Sequence, residues 1–286
     1  MKYILYNLHA GHGTDEEKLM TVEAAYPEGC VLVNMAEIES YRSFFEGLDE
    51  GDGIVLCGGD GTLNRFVNDT AELDIKNEIF YLALGTGNDF LKDIDGKPGE
   101  EVALSEYIKN LPTAEVNGKT YRFLNNVGFG IDGYCCEMGD IHREKNEREG
   151  TETPINYTAI AIKGLLFDYK PTSAKVTVDG KEYTYKKVWL APTMFGRYYG
   201  GGMIPTPGQT RLNEEKTLSV LSFHGSGKLK SLIMFPSIFK GEHVKYKKHI
   251  QVLSGKEITV EFDRPTPLQI DGETVPNVTK YTARIK

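Results

Sequence analysis

The chain has 286 residues, with 33 lysines and arginines against 41 aspartates and glutamates, for a net charge of −8. That length suggests about two domains, and 40% hydrophobic with 26% charged residues is a globular composition that excludes disorder, collagen and coiled coil. The acidic balance excludes a broad nucleic-acid face, and no apolar run approaches the roughly 18–20 residues that cross a bilayer.

Tyr3 to Tyr6 reads as a strand, and Asp15 to Tyr26 as a helix capped by Thr14 or Asp15. Val31 to Asn34 is a second strand, Ile38 to Leu48 a helix, and Gly53 to Cys57 a third strand. Thr62 to Thr70 opens a helix, Ile79 to Leu84 is a fourth strand, and Val102 to Leu111 is helical. Such alternation implies βαβ units and a mostly parallel sheet. From about Tyr121 short strand-like runs take over, beginning with Lys175 to Val178 and Tyr183 to Leu190 around the hairpin signal Asp179-Gly180. Further runs are Leu218 to Phe223, Ile250 to Leu253, Ile258 to Phe262, Leu268 to Ile270 and Tyr281 to Ile285, with helices near Tyr157 to Phe167 and Lys228 to Phe239. The reading is α/β for residues 1–118 and antiparallel β for residues 119–286. Cys30, Cys57, Cys135 and Cys136 form neither a disulfide framework nor a zinc site. MKYILYN lacks a secretory apolar region, so the expectation is a reduced, cytoplasmic protein.

Gly58-Gly59-Asp60-Gly61-Thr62-Leu63-Asn64 follows the apolar strand Ile54-Val55-Leu56-Cys57 and precedes a helix. Glycines let a backbone approach an anion, and a helix N-terminus offers it free N–H groups. No Gly-Lys-Ser/Thr follows, so this is not a Walker A loop. A carboxylate such as Asp60 beside a phosphate repels it unless a metal or a proton transfer employs it. Gly85-Thr86-Gly87-Asn88-Asp89-Phe90 follows the next strand, placing both loops at the carboxyl edge of the sheet, where open α/β sheets bind ligands.

These two segments resemble the diacylglycerol kinase catalytic family of lipid kinases. So, in order, do Asn125-Asn126-Val127-Gly128-Phe129-Gly130-Ile131-Asp132, Arg197-Tyr198-Tyr199-Gly200-Gly201-Gly202-Met203 and Gln269-Ile270-Asp271-Gly272-Glu273. The resemblance spans nearly the whole chain. It implies an N-terminal α/β nucleotide domain, a C-terminal β-sandwich lipid-substrate domain, and ATP in the cleft between them. Asn7 and Gly11 would then sit in the first nucleotide loop, Gly58 to Asn64 would cradle phosphates, and Thr86 would touch the nucleotide. A further contact would fall near Asn34 or Met35. Gly87, Asn88 and Asp89 complete the cofactor set, and Asp271 or Glu273 would be the catalytic base. Asp60 and Asp89 are the carboxylates placed to hold Mg2+, and Asp132 would help organise the substrate head group.

The chain departs from the family pattern at three places. The first loop, Asn7-Leu8-His9-Ala10-Gly11, lacks its proline. Phe195 stands where asparagine is common. Family members carry an Asp-Asp-Gly turn for a structural Mg2+ where this chain has Arg211-Leu212-Asn213-Glu214-Glu215-Lys216-Thr217-Leu218, so Glu214 or Glu215 is the substitute ligand on offer. Residues 224–249 hold six lysines, Lys228, Lys230, Lys240, Lys245, Lys247 and Lys248, against Glu242, mixed with apolar side chains. Such a surface suits an anionic membrane, peripheral on the inner face. The resulting expectation is an ATP- and Mg2+-dependent kinase acting on a lipid hydroxyl, diacylglycerol first. An NAD kinase-like enzyme of a soluble substrate and a non-catalytic nucleotide- or lipid-binding protein are the alternatives. A homodimer is left open by the resemblance.

Overall fold

The computed structural model describes residues 1–7, 16–84 and 88–286. The chain divides into two compact units, Met1–Leu111 and Pro112–Lys286. The hairpin at 113–122 thus belongs to the second unit.

In the first unit, β1 (Lys2–Tyr6), α1 (Glu16–Ala24), β2 (Cys30–Asn34), α2 (Tyr41–Glu46), β3 (Gly53–Gly58), α3 (Asp60–Asp69) and β4 (Ile79–Ala83) alternate as the sequence pattern requires. The sheet order is β2-β1-β3-β4-β5, and the first four strands are parallel. Three expectations are corrected. The helix foreseen over Ile38 to Leu48 is only α2, because Asn34 caps a single 3₁₀ turn at Met35–Glu37 and Ser40 then caps a new start. The residues foreseen as helix from Val102 begin as β5 (Glu101–Ala103), antiparallel on β4, and only α5 (Ser105–Ile108) is helical. Helix α3 starts at Asp60 rather than Thr62. Short α4 (Asp89–Asp93) follows β4. Ile4, Val55, Cys57 and Leu82 form the sheet's core with Val22 of α1.

The second unit is a nine-stranded sheet running β12-β11-β10-β8-β13-β14-β6-β7. Its strands are β6 (Thr113–Val116), β7 (Lys119–Arg122), β8 (Asn126–Gly130), β9 (Thr172–Val178), β10 (Lys181–Met194), β11 (Leu218–His224), β12 (Ile250–Gly255), β13 (Glu257–Ile270) and β14 (Glu273–Arg284). The long strands β10 and β13 share β8 as a neighbour at one end and β9 at the other. Phe129 stacks on Phe262 at 4.6 Å and on Tyr281 at 5.3 Å, so β8, β13 and β14 meet in one aromatic core. Helix α6 (Ile131–Glu149) leads directly out of β8. The charged stretch around His142 lies on it. α7 (Tyr157–Lys163) runs into one π turn, Gly164–Asp168, and α8 (Lys228–Met234) continues as a 3₁₀ segment, Phe235–Lys240. No helix among the described residues is long and apolar enough to cross a membrane.

Candidate active site

Parallel register in the first unit aligns Tyr6 with Asn34 and Cys57, and Gly58 with Ala83. Asn7, Asn34 and Gly58 therefore stand at one carboxyl edge. Asn7 is buried. The Asn34 side chain accepts the Ala36 N–H and donates to Glu37, so it shapes its own turn. A Cβ on Gly58 would fall 2.3 Å from the Thr62 hydroxyl oxygen, whereas one on Gly59 would meet open space. The turn is thus closed on its inner side and open outward. Gly59 caps α3 without a side chain, and a helix start of this kind suits an anion. Gly61 is exposed and Asn64 is buried. The Thr62 hydroxyl is buried without a partner. Leu63 leaves the expected contact set: its side chain is fully buried and its N–H donates to the Gly59 carbonyl.

The second glycine segment is built differently. Thr86 and Gly87, like Gly11, lie outside the described residues. The Asn88 side chain accepts the Leu91 N–H and donates to the Tyr81 hydroxyl. Asp60 accepts the N–H groups of Asp89 and Phe90, at 2.9 and 3.3 Å. The start of α4 is thus capped by protein, and the expected anion-binding N–H groups there are taken. This same bonding brings Asp60 and Asp89 together: the carboxylate of one meets the backbone of the other.

In the second unit, Asp271-Gly272 is a two-residue hairpin turn with Ile270 opposite Glu273 and both φ values positive, 48° and 93°. This is the geometry that Asp-Gly adopts most readily between twisted strands. The Asp271 carboxylate accepts three backbone N–H bonds, from Leu124 at 2.5 Å, Asn125 at 2.7 Å and Asn126 at 2.9 Å. Gln269 accepts the Gly272 N–H and so fixes the turn. Glu273 is exposed at the first position of β14. The Asp271 carboxylate thus ties the hairpin turn to residues 124–126.

No group of three or more His, Cys, Asp or Glu side chains gathers for a metal among the described residues. The loop with Glu214 explains why none is needed there. The Thr210 and Thr217 carbonyls each accept N–H bonds from both Gln209 and Asn213, at 2.8–3.2 Å. The buried Arg211 donates to the Leu124 carbonyl and to Asn125 Oδ1, the latter at 2.8 Å, and packs 5.2 Å over the Phe195 ring. Oxygens that a cation would gather are already bonded by nitrogen, while Glu214 is exposed. A structural Mg2+ through Glu214 does not fit this loop.

Sequence reading did not foresee how Asp132 is placed. Gly128, Gly130 and Gly133 seat the start of α6 against the sheet: Cβ atoms there would fall 2.6 Å from the Pro192 Cα, 2.6 Å from the Trp189 carbonyl and 2.2 Å from the Pro267 carbonyl. Asp132 is consequently 7% exposed, bonded by the Gly133 N–H at 2.9 Å and Gln269 Nε2 at 3.3 Å. The Asn126 Nδ2 is buried without a hydrogen-bond partner, and the buried Tyr199 hydroxyl faces Asp132. Burial raises the Asp132 carboxyl from 3.8 to about 6, against the pull of the Gly133 and Gln269 donors. The folded state therefore holds this proton more tightly than the unfolded chain does. The resulting stability is present below about pH 4 and is lost as pH rises through 6, at a cost on the order of 3 kcal/mol. Asp132→Asn should be more stable than the parent chain at pH 7.5 and equal to it near pH 4. Urea unfolding at both pH values checks this, and equal midpoints at pH 7.5 would refute it.

Residues 126–285 match the family model described as the YegS C-terminal NAD kinase beta sandwich-like domain, and residues 2–116 match the diacylglycerol kinase catalytic domain. Proteins of Staphylococcus aureus strains N315 and Newman, provisionally named lipid kinases, are each 25% identical over 280 residues, covering 91% of this chain and 85% of theirs. A diacylglycerol kinase structure from Bacillus anthracis superposes with a TM-score of 0.63 at 20% identity, covering 99% of this chain and 93% of that one. Yeast NADH kinase complexed with NADH gives a TM-score of 0.50 at 9% identity, covering 100% of this chain and 80% of its own. These structural likenesses show the fold.

Proposed function

The chain belongs to the diacylglycerol kinase-type family of lipid kinases, and from that premise we propose that it moves the γ-phosphate of ATP to a lipid hydroxyl, with diacylglycerol as the first substrate. The observation that carries this reading is the start of α3, where a glycine turn without a side-chain cap opens the helix beside Asp60 and the Asp89 backbone. Phosphate oxygens suit such a helix start. Phosphoryl transfer needs alignment and charge neutralisation more than covalent help. Gly58, Gly59 and Gly61 supply close backbone approach, and Asn7 and Asn64 line the same edge. Asp60 and Asp89 are the residues to hold Mg2+, which neutralises charge on the transferring phosphate.

On the lipid side, Glu273 takes the proton of the attacking hydroxyl, and Asp271 positions it by anchoring the turn. Asp132, ionised above about pH 6, accepts from a head-group hydroxyl. The test is transfer of labelled γ-phosphate from ATP into a lipid panel in mixed micelles, with NAD+ as control. Labelled phosphatidic acid is the expected result. Label only in NADP+ would move the substrate class to soluble dinucleotides, and label in neither would leave a binding protein.

A further inference from the structure

Helix α8 turns two large apolar side chains outward. Its polar residue Ser231 is fully buried, bonded to Ser226 Oγ at 2.7 Å and to the Gly227 carbonyl at 3.1 Å, while Leu229 is 73% and Ile233 74% exposed. The two apolar side chains are four residues apart and share the outer face. The end of α7 behaves likewise. Its π turn keeps Leu165 in the core and leaves Phe167 69% exposed, and Ile162 is exposed one turn earlier. π turns of this kind recur at functional sites. Lys228 Nζ donates to the Leu166 carbonyl at 2.7 Å, which ties the two segments together, each carrying two of the exposed apolar side chains. Lys163, Lys228 and Lys230 belong to the same segments, and the nearby acidic group, Asp168, is bonded by Lys163 and by the Tyr134 hydroxyl.

We infer that this face, from the end of α7 and the outer side of α8, docks on an anionic lipid bilayer, with Ile162, Phe167, Leu229 and Ile233 entering the acyl boundary and the lysines meeting head groups. The inference deepens the lipid-kinase reading and rests on it for the identity of the surface. Exposed apolar side chains rimmed by polar ones mark an interaction surface when they are contiguous. Charge selects the occupant. A second copy of the chain across a two-fold axis would set lysines against lysines, whereas anionic head groups complement them. The remaining lysines of 224–249 are exposed too, but Met234 and Ile238 of that segment are core residues beside Leu221, Phe223 and Ile250. The docking element is therefore narrower than the basic run and includes residues outside it.

The experiment is co-sedimentation of the full chain with vesicles of phosphatidylcholine, with and without a one-third share of phosphatidylglycerol. The parent chain should pellet with the anionic vesicles and be released by high salt. Leu229→Ser/Ile233→Ser should lower the apparent affinity about tenfold or more, and Lys230→Glu should lower it severalfold on anionic vesicles only. All three positions are exposed, so melting temperatures should not change. Absence of pelleting by the parent chain, or unchanged binding by the serine variant, would overturn the inference. So would a dimer in gel filtration that the serine variant dissociates, because a second copy would then be the occupant. Vesicle binding without phosphate transfer would remove the kinase reading and leave this face standing. Transfer to a micellar short-chain lipid without vesicle binding would do the reverse.

Discussion

Asp271→Ala should unfold the second unit more readily, while Glu273→Gln should leave unfolding unchanged and lower turnover by about a hundredfold to ten-thousandfold. The two carboxylates stand two residues apart but have different work. Alanine at 271 strands the N–H groups of Leu124, Asn125 and Asn126, all of which are buried. Each buried unsatisfied donor costs about 1–3 kcal/mol, so a loss of about 3 kcal/mol or more follows, or roughly 6–12 °C in Tm for a unit of this size. Glu273 is exposed and carries no such load. The chain contains its own control. Asp179-Gly180 is a second two-residue hairpin with both φ values positive, and Asp179 Oδ1 accepts the N–H groups of Lys256 and Glu257 at 2.9 Å. Lys256 and Glu257 are exposed, so water replaces the lost carboxylate, and Asp179→Ala should cost much less stability than Asp271→Ala while leaving turnover alone. Thermal unfolding and single-turnover rates on the three variants decide the matter. A stable Asp271→Ala chain with no activity would return the base to Asp271.

The second large effect concerns Arg211. Dialysis against EDTA should not change the melting temperature, whereas Arg211→Met should lower stability by about 2–4 kcal/mol. The guanidinium holds the Leu124 carbonyl and Asn125 Oδ1, and Asp271 holds the N–H groups of the same residues. The strand entry is thus gripped from both sides, by a cation and an anion. Arg211→Lys should recover only part of the loss, because an ammonium cannot reproduce the planar fork. Differential scanning calorimetry before and after chelation is the measurement. A fall in Tm on chelation that persists in the Asp60→Asn variant would show a resident ion that the nitrogen donors of Gln209 and Asn213 leave room for.

The parallel sheet was legible because its strands are continuous apolar runs separated by amphipathic stretches. The antiparallel β5 was not, since Glu101–Ala103 is three residues long and its partner β4 alone makes it a strand. Helix α6 escaped because its sequence, IDGYCCEMGDIHREKNERE, opens with a glycine at its third position and closes on charge; packing of Gly133 on Pro267 fixes its start, and no local signal reports that contact. Of the site, the glycine turn at 58–59 could be read from spacing, whereas the bonding of the Asp60 carboxylate to the Asp89 and Phe90 backbone could not. The commitment of Asp271 to Leu124, Asn125 and Asn126 could not, because its partners lie about half the chain away. The same holds for Arg211, whose charge reads as surface until Phe195 and Leu124 are brought over it.

The pairing of β6 with β14 sets an order of events during synthesis. Thr113 lies opposite Arg284 and Val116 opposite Tyr281, and the Arg284 guanidinium bonds Glu115 and Glu257. The first strands of the second unit therefore wait for its last one. A nascent chain can complete the parallel sheet of the first unit while ribosomes are still translating the remainder, since that sheet draws on no residue beyond Ala103. The second unit closes only after residues 273–284 have emerged. Any message cut short before that point yields a polypeptide with a finished first unit and an open sheet edge, a substrate for chaperones and proteases rather than a partly working enzyme.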